Sequence, residues 1–163
     1  IISMAARRMG YQVITNLSGH LVEPFTIHAG LSIPNMWVPN TQDLRIGEIY
    51  AVEPFLTTPK GAGLVIEGSI QNIYSIISRR KTKDQFLDDL AERAWSRCRT
   101  LPFASRFIVD DDEYDLVEKS LDKLVQLKII RTYPILIESK GQPVAQAEHT
   151  VALTDTGFTI LTE

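Results

Sequence analysis

Three side chains that normally seek water stand among apolar neighbours. His20 lies in the apolar, glycine-containing stretch "NLSGHLVEPFTIHAG" (16–30), and His28 follows eight residues later. Glu53 lies inside "EIYAVEPFL" (48–56), where Ala51, Val52, Pro54 and Phe55 offer no polar face. Glu148 stands beside His149 in "VAQAEHTVALT" (144–154), where Gln146 and Thr150 do allow one. A carboxylate in a buried strand needs a strong partner. An imidazole with carboxylates is the right donor set for a borderline or hard divalent ion such as Mn, Fe, Co or Zn. Each residue also has a plainer reading. A lone histidine in an apolar stretch is ordinarily a hydrogen-bonded structural residue, and a strand glutamate ordinarily faces solvent. The residues by themselves leave both readings open.

The bulk composition narrows the classes. At 163 residues the chain suits one domain, or one domain with an insertion. A net charge of −3 gives no general pull toward nucleic acid. No apolar run reaches the roughly 18 residues of a membrane helix, and the opening apolar and basic residues are in the wrong order for a signal peptide. Cys98 is the single cysteine, so there is no internal disulfide and no thiolate zinc site. That usage fits a reducing, cytoplasmic setting.

The elements that must carry these residues follow from the pattern. "IISMAARRMG" reads as the last turns of a helix, with Gly10 as the residue that ends it. Residues 11–15 read as a short strand, and Pro24, Pro34 and Pro39 divide the next stretch into extended and turn segments. Residues 48–56 read as a buried strand, "KGAG" as a turn and 73–78 as another strand. Thr82 with Gln85 suggests a capping box opening a helix that runs to Cys98. Cys98 falls on that helix's apolar face and reads as packing. A second helix is expected over roughly Glu113 to Leu127, with acids at its N-terminal end and Leu116, Val117, Leu121, Leu124 and Val125 on one face. Residues 129–139 and 144–154 read as the two arms of a hairpin across "KGQP", and 155–163 as a closing turn and strand. The class is α+β, with domain pieces at 1–78 and 128–163 around a helical insertion at 79–127.

"NLSGH", "IHAGLSIPN", "GEIYAVEPF", "LPFASRF" and "QAEHT", in this order and across essentially the whole chain, resemble the C-terminal portion of an archaeal-type, type II methionine aminopeptidase. The resemblance implies a pita-bread fold with the helical, winged-helix-like insertion of the type II enzymes. It implies removal of the initiator methionine from nascent polypeptides by a site holding two divalent metal ions (Co, Mn, Fe or Zn). By motif, His20, Glu53 and the metal-bridging Glu148 are the implied ligands, and Glu53 also handles the proton of the attacking water. His28 is the implied substrate-contacting histidine, and Ile27 and Tyr133 fall where the family lines its methionine pocket.

The family's two aspartate ligands and a further histidine lie upstream of the "NLSGH" motif, and residues 1–19 contain no Asp, Glu or His. The expectation is therefore a fragment or one half of a split protein, with the N-terminal half of the fold as its missing partner. It should bind metal poorly alone and expose a sheet edge and an apolar face. Three rivals stand beside this reading. One is a non-catalytic pita-bread relative that binds RNA or protein. Another is ribosome association through "RRKTK" (79–83), for which a solvated basic turn is the preferred alternative. The third is dipeptidase or creatinase chemistry, which the motif spacing and the insertion disfavour. His149, next to Glu148, should point to the opposite side of its strand and reads as structural.

Overall fold

The computed structural model describes residues 1–109 and 114–162. Glu113, the expected first residue of the second helix, lies outside them. The chain divides into two compact units, Ile1–Glu67 with Leu136–Glu163, and Gly68–Ile135.

In the first unit, α1 (Ile2–Arg8) ends as its sequence suggests. Gly10 takes a φ of +80°, and Tyr11 N–H and Gly10 N–H donate to Ala6 O and Arg7 O, the paired bonds of a Schellman turn. The strands that follow are β1 (Gln12–Val13), β2 (Ser18–Val22), β3 (Ser32–Pro34), β4 (Ile49–Val52) and β5 (Phe55–Thr57). A long strand, β6 (Val65–Ile76), leads into the second unit. There α2 (Gln85–Cys98), β7 (Phe103–Ala104), α3 (Tyr114–Gln126) and β8 (Ile130–Glu138) follow. The chain closes with β9 (Val144–Gln146), β10 (His149–Thr154) and β11 (Gly157–Ile160).

Among the described residues these strands form three sheets. A five-stranded sheet runs β11-β10-β4-β2-β3, a small one runs β1-β5-β9, and a third runs β7-β6-β8. The expected hairpin across "KGQP" does not form. The arm at 144–146 pairs with β5, Phe55 facing Gln146, while β8 pairs with β6. Glu138 braces this turn: its buried carboxylate accepts N–H bonds from Ala62, Lys140 and Gln142, so it ties "KGAG" to "ESKGQ".

The second unit has its own hydrophobic core. Tyr74, Leu87, Leu90, Phe103, Ile108, Val117, Leu121, Leu124, Ile129 and Ile130 bury one continuous cluster, and Cys98 packs against it as expected. The cap of α2 differs from the expected box. Asp84 is the N-cap, its carboxylate accepting from Phe86 N–H and Leu87 N–H, while Thr82 braces the turn before it. A carboxylate two residues closer to the exposed N–H groups is the better cap, because it also meets the helix dipole.

Candidate metal centre

The site grows from two breaks in the strands. Val52 pairs with His149 in the five-stranded sheet, and Phe55 pairs with Gln146 in the small sheet. Between them Glu53 and Pro54 lie opposite Ala147 and Glu148, with Ala147 N–H directed at Pro54 O at 3.4 Å. Both glutamates were expected mid-strand. They stand instead at a shared corner where the two chain segments pass from one sheet to the other. Pro54 is the local cause, since it has no N–H to give a ladder and cannot continue a central strand.

The histidines come from the neighbouring hairpin. β2 continues to a two-residue reversal at Pro24 and Phe25, closed by reciprocal bonds between Glu23 and Thr26, with Phe25 at a φ of +57°. Proline followed by a residue of positive φ is the pattern of a type II turn. The return limb runs back along β2, with Ala29 N–H donating to Leu21 O and Leu21 N–H to Leu31 O. This folding, not helical spacing, brings residues eight apart together: the His20 and His28 rings meet edge to face at 4.4 Å. His20 is buried and its row in the sheet is His20, Ala51, Thr150. His28 is exposed, and Ile27 precedes it, half-buried.

His20 Nε2 lies 3.1 Å from Glu53 Oε1, and His20 Nδ1 lies 3.2 Å from Leu21 O. Gln146 Nε2 donates to Glu53 Oε2 at 3.0 Å and reaches Glu148 Oε2 at 3.4 Å. Burial pushes the Glu53 carboxyl above the usual carboxylate range, and the negative charge of Glu148 adds to that; His20 and Gln146 act against it. Two carboxylates thus share one corner with an imidazole, a donor set suited in kind to a divalent cation. Among the described residues, no three His, Cys, Asp or Glu side chains converge into a group that could hold an ion. Glu148 is exposed and is joined to the pair through Gln146.

Tyr133 belongs to the second unit. Its hydroxyl lies 3.2 Å from Ser75 Oγ, and the Arg131 guanidinium sits 5.0 Å from its ring. His149 faces away from the row of His20: it lines an open apolar cavity of about 450 Å³ with Ile33, Val52, Val151, Phe158 and Ile160, and Thr162 Oγ1 lies 3.3 Å from its Nδ1. Of the basic turn, Arg79 pairs with Glu92 and stacks on Trp95, and Arg80 donates to Leu127 O. Both arginines are thus engaged within the second unit. Among the described residues no helix is long and apolar enough to cross a membrane.

No protein-family model matches the chain. The methionine aminopeptidase of Methanocaldococcus jannaschii is 34% identical over 163 residues, covering 100% of this chain and 54% of that protein. Those of Saccharolobus solfataricus and Thermococcus kodakarensis are 35% and 38% identical, covering 93% and 99% of this chain and 50% and 54% of theirs. This chain is related to the archaeal methionine aminopeptidases. It spans about half the length of the curated relatives it matches. Among solved structures, a thermophilic Arx1 aligns with a TM-score of 0.75 at 17% identity, over 97% of this chain and 43% of that one. The methionine aminopeptidase of Rickettsia prowazekii aligns at 0.52 and 17% identity, over 99% and 40%. These similarities show a shared fold, so the expected pita-bread architecture holds.

Two residues at the corner had been given no role by sequence reasoning. Gln146 counted only toward a possible polar face beside Glu148, although its place two residues earlier puts it on the same side of an extended chain. Asn35 closes "SIPN" and is buried against the corner. Nothing in its residue type distinguishes it from a turn asparagine.

Proposed function

We propose that this chain carries part of the active site of a methionine aminopeptidase, which removes the initiator methionine from nascent polypeptides in the cytoplasm. The supporting observation is the corner itself. His20 and Glu53 meet at 3.1 Å and Gln146 reaches both Glu53 and Glu148, so the implied ligands of the resemblance are neighbours in space although 128 residues separate the first from the last. Similarity to the archaeal enzymes over 100% and 99% of this chain supports the same reading.

His20, Glu53 and Glu148 would be among the ligands of the two divalent ions. Bound divalent ions would supply the acidification of water that peptide hydrolysis requires near neutral pH. The protein's own residues have separate tasks. Glu53 would accept a proton from the attacking water, within reach of a carboxylate already hydrogen-bonded on both oxygens. His28, exposed beside His20, would hydrogen-bond the substrate at the scissile bond and steady the oxyanion that develops there. Ile27, half-buried beside His28, would offer apolar surface to the methionine side chain.

The test uses the complete polypeptide that carries this sequence, a Met-Ala-Ser peptide and added Mn²⁺ or Co²⁺. Glu53→Gln and Glu148→Gln should each lower kcat/KM at least ~100-fold, as loss of a proton acceptor or of charge stabilisation does. Undiminished turnover in either variant would sink the assignment.

A further inference from the structure

Glu53 is held through its backbone as well as through its carboxylate. Asn35, the residue after β3, is only 2% exposed. Its Nδ2 donates to Leu17 O at 3.1 Å and reaches Glu53 O at 3.4 Å. Leu17 immediately precedes β2, three residues before His20, and Glu53 is the first residue beyond β4. One amide nitrogen therefore spans the root of the histidine strand and the corner of the glutamate. An asparagine amide has two protons, and both are directed at main-chain carbonyls.

Those two carbonyls also fix which end of the side chain is nitrogen. The oxygen then points the other way, and Asn35 Oδ1 is buried without a hydrogen-bond partner among the described residues. A buried acceptor left open is costly, and most such groups in folded proteins are paired. A side chain that merely filled this space would be cheaper as leucine, which has nothing to satisfy. The asparagine is kept in place by what its nitrogen does.

We propose that Asn35 is a positioning residue for the His20–Glu53 pair, setting the position of the Glu53 main chain relative to the strand that carries His20. This deepens the aminopeptidase reading and rests on it for the purpose of the site, while its test reads geometry without turnover. Asn35 does not touch substrate. It acts through Glu53, so its loss should disturb the pair while leaving the second unit and the opposite face of the sheet unchanged.

The experiment is nitrogen-detected NMR on the metal-free chain, comparing the protein with Asn35→Leu, which is isosteric and removes the open acceptor, and Asn35→Asp, which removes both donors. The expected result is a shift of the His20 ring nitrogens in both variants, with the His149 ring nitrogens unchanged and the far-ultraviolet circular dichroism intact. His20 signals that stay in place in a folded variant overturn the proposal. Should both variants fail to fold, exchange in the unaltered chain decides. Both Asn35 Nδ2 protons should exchange with solvent at least ~10-fold more slowly than those of the exposed Gln146 amide, and equal rates overturn the proposal. A His20 response with no aminopeptidase activity in the complete polypeptide would overturn the proposed function and leave the role of Asn35 standing.

Discussion

Gly19→Ala is the sharpest perturbation of the site that touches none of its side chains. Gly19 lies inside β2, between β3 and β4, and a Cβ placed on it would stand 2.3 Å from Ala51 O, 3.3 Å from Ala51 C and 3.4 Å from Ile33 Cβ. The obstacle is backbone, which cannot rotate aside as a side-chain tip can. Carbon and oxygen tolerate about 3.0 Å at the closest, so β2 would have to retreat from β4 by roughly 0.7 Å. Ladder bonds of about 2.9 Å would stretch to roughly 3.6 Å, beyond useful length. Losing two of them at about 1 kcal/mol each, with about 1–2 kcal/mol of residual strain, gives about 3–4 kcal/mol. His20 is the next residue, so its 3.1 Å approach to Glu53 should open at the same time. Urea unfolding followed by circular dichroism measures the first quantity, and amide exchange along β2 measures the second. Gly10→Ala is the control: no heavy atom comes within 4 Å of its added Cβ, so it reports backbone strain alone at a φ of +80°, about 1–2 kcal/mol. A Gly19→Ala cost below about 0.5 kcal/mol, with β2 exchange unchanged, would refute the close-approach account.

Three further outcomes follow from the same physical terms. Glu53 has a raised folded-state pKa, so the folded chain holds a proton that the unfolded chain releases. Its ionisation penalty is absent below the unfolded value of about 4.5, grows as pH rises through the window up to the folded value and is full above it. Glu53→Gln should therefore raise Tm of the metal-free chain at pH 7 but not at pH 4, and a lowered Tm at pH 7 contradicts the burial argument. Glu138 has the opposite sign. Burial alone would raise it, but the N–H groups of Gln142, Ala62, Lys140 and Gly63 outweigh burial and hold it below the usual range. Its stabilisation is present above about pH 4.5 and is lost as pH falls through the folded value. Glu138→Gln should be destabilised at pH 7, with the gap to the unaltered chain closing in acid; a pH-independent gap would count against the carboxylate. Leu121→Ala, in a fully buried position of the second unit, should cost about 2–5 kcal/mol in urea unfolding followed by Trp95 fluorescence. A cost under about 1 kcal/mol would mean that the α2–α3 core is looser than its burial indicates.

What could be read from the sequence, and what could not, divides along the range of the interactions. Residue types that act locally were informative. Gly10 ended a helix, Pro24 opened a reversal, and the 3.6-residue pattern from Phe86 to Cys98 marked α2. Long-range pairing was not legible. The arm at 144–146 has the composition of a hairpin partner for β8, but β5, nearly ninety residues earlier, takes it. The same contest decided where the glutamates stand. Residue type made Glu53 and Glu148 conspicuous as carboxylates in apolar strands, but the strands break at them, because Pro54 interrupts one ladder and the opposing segment must leave its sheet at the same level. The break is what makes a site possible. In a continuous strand, neighbouring side chains alternate between faces, and Glu53 would follow the alternation set by Ala51, in the row of His20. At a corner the chain is free of that constraint, and the carboxylate can be set by hydrogen bonds from two sheets, His20 in one and Gln146 in the other. The residues with chemical potential were visible one at a time. The amides that arrange them, Asn35 and Gln146, carry no charge to attract attention, and only the paired strands reveal that both are directed at Glu53.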